Sequence, residues 1–441
     1  MNLVFKRRIT EILPNGMKMK RKITNRNSYK SYLMCVMYLM LIFFNTISMI
    51  IPLGNYLDEL IALLAFVYMI LDRKRIGKNS EELKIIVGCI GLTMVGLFSN
   101  MIFGYVHDIS IIVRDVIGTV KFFLAFIGFL YIFGKNKNNI SKGIIATSKF
   151  CIFIIFVFGI MSIFIDIGMG DSIRYGMRSY RFVFDYYNTL LFVETLLVAT
   201  IMCERKKNTI FYLMAITSAV LTLRTKSLVV VILIITFKIF ETKKNNPIIY
   251  GKIKKTIKYV LPVSVLIVLA TRNKFIEYIS FGKYSSIRIG ALVEGWDIFK
   301  DHFPFGTGFG TYGTNLSYET GSVLYSMYGR INYSVMFDPK FGYATMSDTY
   351  WPSIYTQLGI IGFIIFLYCL FQCVVIVRNR GLFFERNRQA AILIFVYILI
   401  ATISEASFTN PSGVVSAVMM ALLLNVSGKK NIPLEIDYTA K

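Results

Sequence analysis

Arg174, Arg178 and Arg181 stand together in the stretch Asp171-Ser172-Ile173-Arg174-Tyr175-Gly176-Met177-Arg178-Ser179-Tyr180-Arg181, interleaved with two tyrosines. Guanidinium groups gathered this closely bind phosphate oxygens bidentately, and apolar surroundings strengthen each contact. Their plainer use is to anchor the chain to lipid headgroups. Arg224 and Lys226 interrupt an apolar run with no acidic residue near them in sequence. Ionisable groups at membrane depth face a water-filled cavity and a partner by default, although cations at a span end also snorkel to the interface. Two carboxylates add acid–base chemistry. Asp348 lies in Met346-Ser347-Asp348-Thr349-Tyr350-Trp351-Pro352, and Glu405 lies in Ile403-Ser404-Glu405-Ala406-Ser407-Phe408. A carboxylate there can take the proton of a sugar hydroxyl. The alternatives are a helix cap for Asp348 and an ion pair with an arginine for Glu405.

Between these groups runs a segment rich in glycine and aromatic residues. Arg288, Leu292 and Trp296 or Phe299 recur at helical spacing, which predicts an amphipathic helix on the membrane surface. The following Pro304-Phe305-Gly306-Thr307-Gly308-Phe309-Gly310-Thr311-Tyr312-Gly313 formally contains G-x-G-x-x-G, but no strand-turn-helix unit surrounds it, so a dinucleotide site is excluded. Alternating glycines instead permit tight turns that bring backbone N–H groups close to a ligand or to another segment. His107 and His302 have no second ligand nearby in sequence and read as surface residues.

The elements that must position these groups are apolar helices. Of the 441 residues 55% are hydrophobic and 17% charged, and the mean hydropathy is +0.60. Soluble enzymes and nuclear DNA-binding proteins do not have such a composition. Apolar runs predict an all-α polytopic membrane protein of about twelve spans, near 31–51, 54–71, 84–104, 112–133, 144–166, 183–203, 209–223, 225–241, 257–272, 351–377, 389–404 and 412–427. The seventh and eighth meet at Arg224–Lys226 with almost no loop. A basic tail (1–30) precedes the first nine spans (31–272), and one long, partly helical external loop (273–350) separates them from the last three (351–427) and a short tail (428–441). The net charge of +24 resides mostly in the N-terminal tail and in alternate loops, which places both termini in the cytoplasm and gives nucleic acid no role. The six cysteines all fall in or beside apolar runs, and Cys369 and Cys373, although one helical turn apart, have no histidine near them, so no metal is assigned.

The order Arg288…Trp296-Asp297-Ile298-Phe299…Pro304-Phe305-Gly306-Thr307-Gly308-Phe309-Gly310, followed by Asp348…Tyr350…Gln357-Leu358-Gly359-Ile360-Ile361-Gly362, resembles the O-antigen polymerase and ligase family of bacterial membrane glycosyltransferases. Thr222-Leu223-Arg224-Thr225-Lys226 is similar to that family's short basic hairpin. The resemblance implies an enzyme of the bacterial cytoplasmic membrane that joins polyprenyl-pyrophosphate-linked oligosaccharide repeats on its external face, without cofactor, nucleotide sugar or metal. Flippase and chain-length regulator proteins are the implied companions, and the bilayer is the medium. Where the ligase branch carries a His-Asn-type pair, this chain reads Ser347-Asp348-Thr349-Tyr350, which favours the polymerase branch. The implied roles are catalysis for Arg288, Asp348 and Glu405, phosphate binding for Arg174, Arg178, Arg181, Arg224 and Lys226, and sugar stacking for Trp296, Tyr312 and Tyr350. A transporter or flippase for the same lipid-linked oligosaccharide, a ligase-type transferase and a non-catalytic scaffold are the alternatives. Abundant Ile, Lys, Asn and Tyr suggest an AT-rich bacterial genome and a capsule or exopolysaccharide as product.

Overall fold

The computed structural model describes residues 32–51, 54–72, 80–135, 142–174, 176–204, 208–245, 287–328, 349–380, 385–425. Within these the chain is predominantly α-helical: α1 (Tyr32–Ile42), α2 (Phe44–Ile50), α3 (Leu57–Leu71), α4 (Glu81–Phe103), α5 (Ile109–Lys135), α6 (Lys142–Phe164), α7 (Tyr187–Met202), α8 (Thr209–Leu221) and α9 (Thr225–Asn245). After the segment outside the described residues come α10 (Ile287–Asp301), the short α11 (Asn315–Glu319) and α12 (Val323–Tyr328), then α13 (Trp351–Arg380), α14 (Glu385–Ala401) and α15 (Pro411–Leu424). Among the described residues four helices, α4, α5, α6 and α13, are long and apolar enough to cross a membrane. The expected span 257–272 lies outside the described residues, as do 273–286 and 329–348 of the expected external loop and both expected tails.

Helix α4 shows how local sequence sets the boundaries. Ser80 caps its N-terminus by accepting from the Leu83 amide, Glu81 and Glu82 stand where the positive end of the helix dipole favours them, and Gly104 closes the other end at φ 62°. Every residue of α7 from Leu190 to Met202 is buried, as is every residue of α15 from Gly413 to Leu424. A helix that is buried all round belongs at the centre of a bundle. The outer helices instead expose apolar side chains such as Met94, Met101, Phe150 and Phe164, an exterior compatible with insertion into lipid.

Two features depart from a plain bundle. The first expected span, 31–51, is two helices: α1 and α2 meet at Phe43 with a bend of 74°. The arginine stretch forms an antiparallel hairpin, β1 (Gly170–Arg174) and β2 (Met177–Tyr180), with Ile173 opposite Arg178. It rests on the end of α6, where the buried Tyr180 hydroxyl donates to the Ile155 carbonyl at 2.8 Å.

Candidate functional site

The termini of α6, α7, α8, α9, α14 and α15 that the sequence reading assigned to the external face lie at one end of the bundle. The turn between α8 and α9 carries Arg224 and Lys226. Leu223 there adopts φ 52°, which is uncommon for a residue with a Cβ, and it lets the chain reverse direction within a few residues. Arg224 lies over the Tyr187 ring, 3.8 Å from its centroid, and donates to the Ser172 hydroxyl at 3.2 Å. The basic turn is thereby joined to the arginine hairpin and to the start of α7, groups that are far apart in sequence. A cavity of about 280 Å³ between hairpin and turn is lined by Ile173, Arg178 and Leu223, among others.

On the other side of the turn, the Lys226 ammonium is 3.6 Å from Glu405 Oε2, and the Asn188 amide donates to that same oxygen at 3.1 Å. Both side chains of the pair are about a quarter exposed or less. Asn188 therefore holds the carboxylate by a directed hydrogen bond, while Lys226 acts as a nearby charge, since 3.6 Å exceeds hydrogen-bonding distance. Glu405 and Asn188 line a cavity of about 430 Å³ bounded by α2, the start of α7 and the α14–α15 connection, with Asn315 reaching in from the glycine-rich segment.

The three arginines of the hairpin have separate fates. Arg178 pairs with Asp166, and this hydrogen bond holds the Asp166 carboxyl below the usual carboxylate range. Arg181 donates to the Gly170 and Asp185 carbonyls and so braces the hairpin itself. Arg174 is exposed at the end of β1.

Other expected site residues are placed differently. Trp296 is exposed beside Leu292 on α10, stacked on Phe299 with centroids 5.1 Å apart, and keeps a face for a ligand. Tyr312 and Tyr350 do not. Tyr312 is fully buried with its hydroxyl donating to the Ala291 carbonyl at 3.1 Å, and Tyr350 is enclosed by Trp351, Phe366 and Phe408. Their rings pack the core, because the segment that carries them is drawn in between helices. His302, expected at the surface, is 6% exposed. Its two nitrogens lie 2.8 Å from the Ile298 carbonyl and 2.8 Å from the Tyr105 hydroxyl. Arg288 stands in the first turn of α10, but its side chain, like the whole of Asp348, lies outside the described residues.

No protein-family model matches this chain, and no curated protein sequence matches it. The residues themselves therefore carry the functional reading.

Several further polar residues lie inside the apolar runs. Lys121 of α5 is 2.6 Å from Asp58 of α3, both almost completely buried, and Glu194 is buried in α7. A charged residue within an apolar run was the available signal. Asn188 and Ser407, which contribute to the large cavity, offered no such signal: a neutral polar residue at a helix end is ordinary in any protein.

Proposed function

We propose that the chain is a polysaccharide polymerase of the bacterial cytoplasmic membrane, with about twelve spans and both termini in the cytoplasm. It joins polyprenyl-pyrophosphate-linked oligosaccharide repeats on the external face. The observation that carries this reading is Glu405, held by Asn188 and accompanied by Lys226 in the wall of a 430 Å³ cavity, with Arg224 on the adjacent turn. A carboxylate beside a basic turn that carries a guanidinium matches the two needs of such a transfer.

The acceptor hydroxyl attacks the anomeric carbon of the donor sugar, and the new C–O bond forms as the bond to pyrophosphate breaks. The leaving polyprenyl pyrophosphate keeps the bonding electron pair, and its growing negative charge is what Arg224 and Arg174 are suited to stabilise. Glu405 accepts the hydroxyl proton, with attack from the opposite face and inversion at carbon. Arg288 and Asp348 keep their proposed roles as a second phosphate contact and a second carboxylate.

Purified protein in nanodiscs, given a polyprenyl-pyrophosphate-linked oligosaccharide, is expected to yield a ladder of lengthened products that Glu405→Gln and Arg224→Ala each suppress. A ladder undiminished in both variants would remove this site from the reaction. A transporter for the same lipid is the second reading, favoured by the bend between α1 and α2 and by the buried Lys121–Asp58 pair. Discontinuous helices and ionisable groups within the bundle are features of transporters. That reading predicts movement of the lipid across vesicles with no lengthening.

A further inference from the structure

The 430 Å³ cavity has the size of a small-molecule site, and its lining has a definite chemistry. Among the described residues, no lysine or arginine lines it. Its polar atoms include the amides and hydroxyls of Asn45, Ser48, Asn188, Ser407 and Asn410, and Glu405 is the one charged residue in the described lining. Lys226 stands behind that carboxylate, outside the lining. Tyr186 lines the cavity and is exposed at its edge, while Phe192 and Tyr397, stacked with centroids 6.0 Å apart, form an apolar part of the wall.

Three of the polar atoms lack partners. Ser407 is 1% exposed, yet its hydroxyl makes no hydrogen bond within the protein, and the side-chain oxygens of Asn45 and Asn188 are likewise buried without a donor. Buried polar atoms are almost always paired, so an unpaired group in a cavity wall needs a partner from elsewhere. Two amide oxygens and a hydroxyl call for a ligand with several O–H groups. The described lining offers no cation to a phosphate, and Glu405 repels any carboxylate that enters.

We infer that this cavity binds a neutral sugar ring, the acceptor end of the growing saccharide, and that it discriminates against uronic acids. The inference deepens the transfer reading by separating two subsites: the basic turn and hairpin take pyrophosphate, and the cavity between α2, α7 and α15 takes an uncharged polyol. Asn45 of α2 and Ser407 of the α14–α15 connection both contact the ring, and Glu405 lies beside its reacting hydroxyl.

The test is ligand-observed NMR on the full chain in nanodiscs, with the methyl glycosides of glucose, galactose, N-acetylglucosamine and glucuronic acid as probes. Saturation transfer is expected to at least one neutral glycoside and not to the glucuronide. Ser407→Leu, which fills the cavity, is expected to weaken the neutral signal at least fivefold, and Asn45→Leu to do the same from α2. Glu405→Gln is expected to admit the glucuronide. Each variant is compared at unchanged Tm, and the pair of leucine variants covers the failure of either one to fold. Absence of signal from all three neutral probes, or neutral and acidic probes bound alike by the wild type, overturns the inference. Protein that lengthens lipid-linked oligosaccharide but behaves so leaves the transfer reading intact. Protein that binds a neutral glycoside yet lengthens nothing overturns the transfer reading alone.

Discussion

The glycine-rich loop and the large cavity lie at the same end of the bundle, and both are lined with polar groups, yet their hydrogen bonding differs throughout. In the loop, the amides of Thr307 and Gly308 donate to the Thr356 and Gln357 carbonyls at 2.9 and 2.8 Å. The Phe309 amide donates to Asn100 Oδ1 at 2.7 Å, and that of Gly310 to Asp115 Oδ2 at 2.6 Å. The loop can enter so far because α13 is broken at Gly359, whose φ of 59° and ψ of −165° free the two carbonyls that receive it. A motif that looks like a ligand cradle has thus spent its donors on its own helices. The cavity, with no sequence motif, keeps atoms that no protein group satisfies. Glycine spacing in this loop is a sign of close packing.

The comparison breaks most visibly at Gly359. A Cβ there collides with the Pro304 carbonyl, and the backbone conformation is one that glycine alone adopts readily. Gly359→Ala is expected to destabilise the fold by about 3 kcal/mol, seen as a lower Tm and loss of monodisperse protein in detergent. A Tm unchanged by that substitution would mean that the loop is not the structural element described.

At the cavity the expected loss is of activity and not of fold. Glu405→Gln should lower product formation by about 100-fold, the usual worth of a general base, with Tm nearly constant. A large fall in Tm instead would make the Lys226–Glu405 pair structural. Arg224→Ala is expected to weaken binding of polyprenyl pyrophosphate by about tenfold, the loss of one charge-assisted contact of roughly 1.5 kcal/mol. Fluorescence anisotropy of a labelled lipid measures it.

Smaller effects sharpen the contrast. Asp115→Asn replaces the carboxyl acceptor of the Gly310 amide but keeps an oxygen in reach, so a destabilisation of about 1 kcal/mol is expected. At the hairpin, Arg178 holds Asp166 below its unfolded value. The contribution is therefore present above the unfolded carboxylate range and is lost as pH falls through the folded pKa. Wild type and Asp166→Asn should differ slightly in Tm at neutral pH and converge in acid. Since both groups are exposed, this is the least of the effects.

Some of this was legible in the sequence, for identifiable reasons. Apolar windows located α4, α5, α6 and α13 to within a few residues, because a long run of apolar side chains has one low-energy form in lipid. Arg224, Lys226 and Glu405 stood out because charge beside such runs is costly. Their meeting did not, since the pair closes across the intervening helices and only tertiary packing sets that distance. The bend at Phe43 has no proline or glycine at the junction to announce it. Tyr312 and Tyr350 were misplaced because an aromatic residue beside glycines has the same local pattern whether its ring packs inward or faces a sugar.

The bend between α1 and α2 also bears on the order in which the protein is made. Its second arm supplies Asn45 and Ser48 to the cavity, whereas Ser407, Asn410 and Ser412 follow them by several hundred residues in the chain. Chains emerge N-terminus first and pack as their partners arrive. The α2 wall therefore waits, while the intervening helices are made, for the residues that complete the cavity. A chain stopped after Ala401 keeps α1 to α14 and lacks Glu405, Ser407, Asn410 and Ser412, so the cavity has no carboxylate until the α14–α15 connection is made.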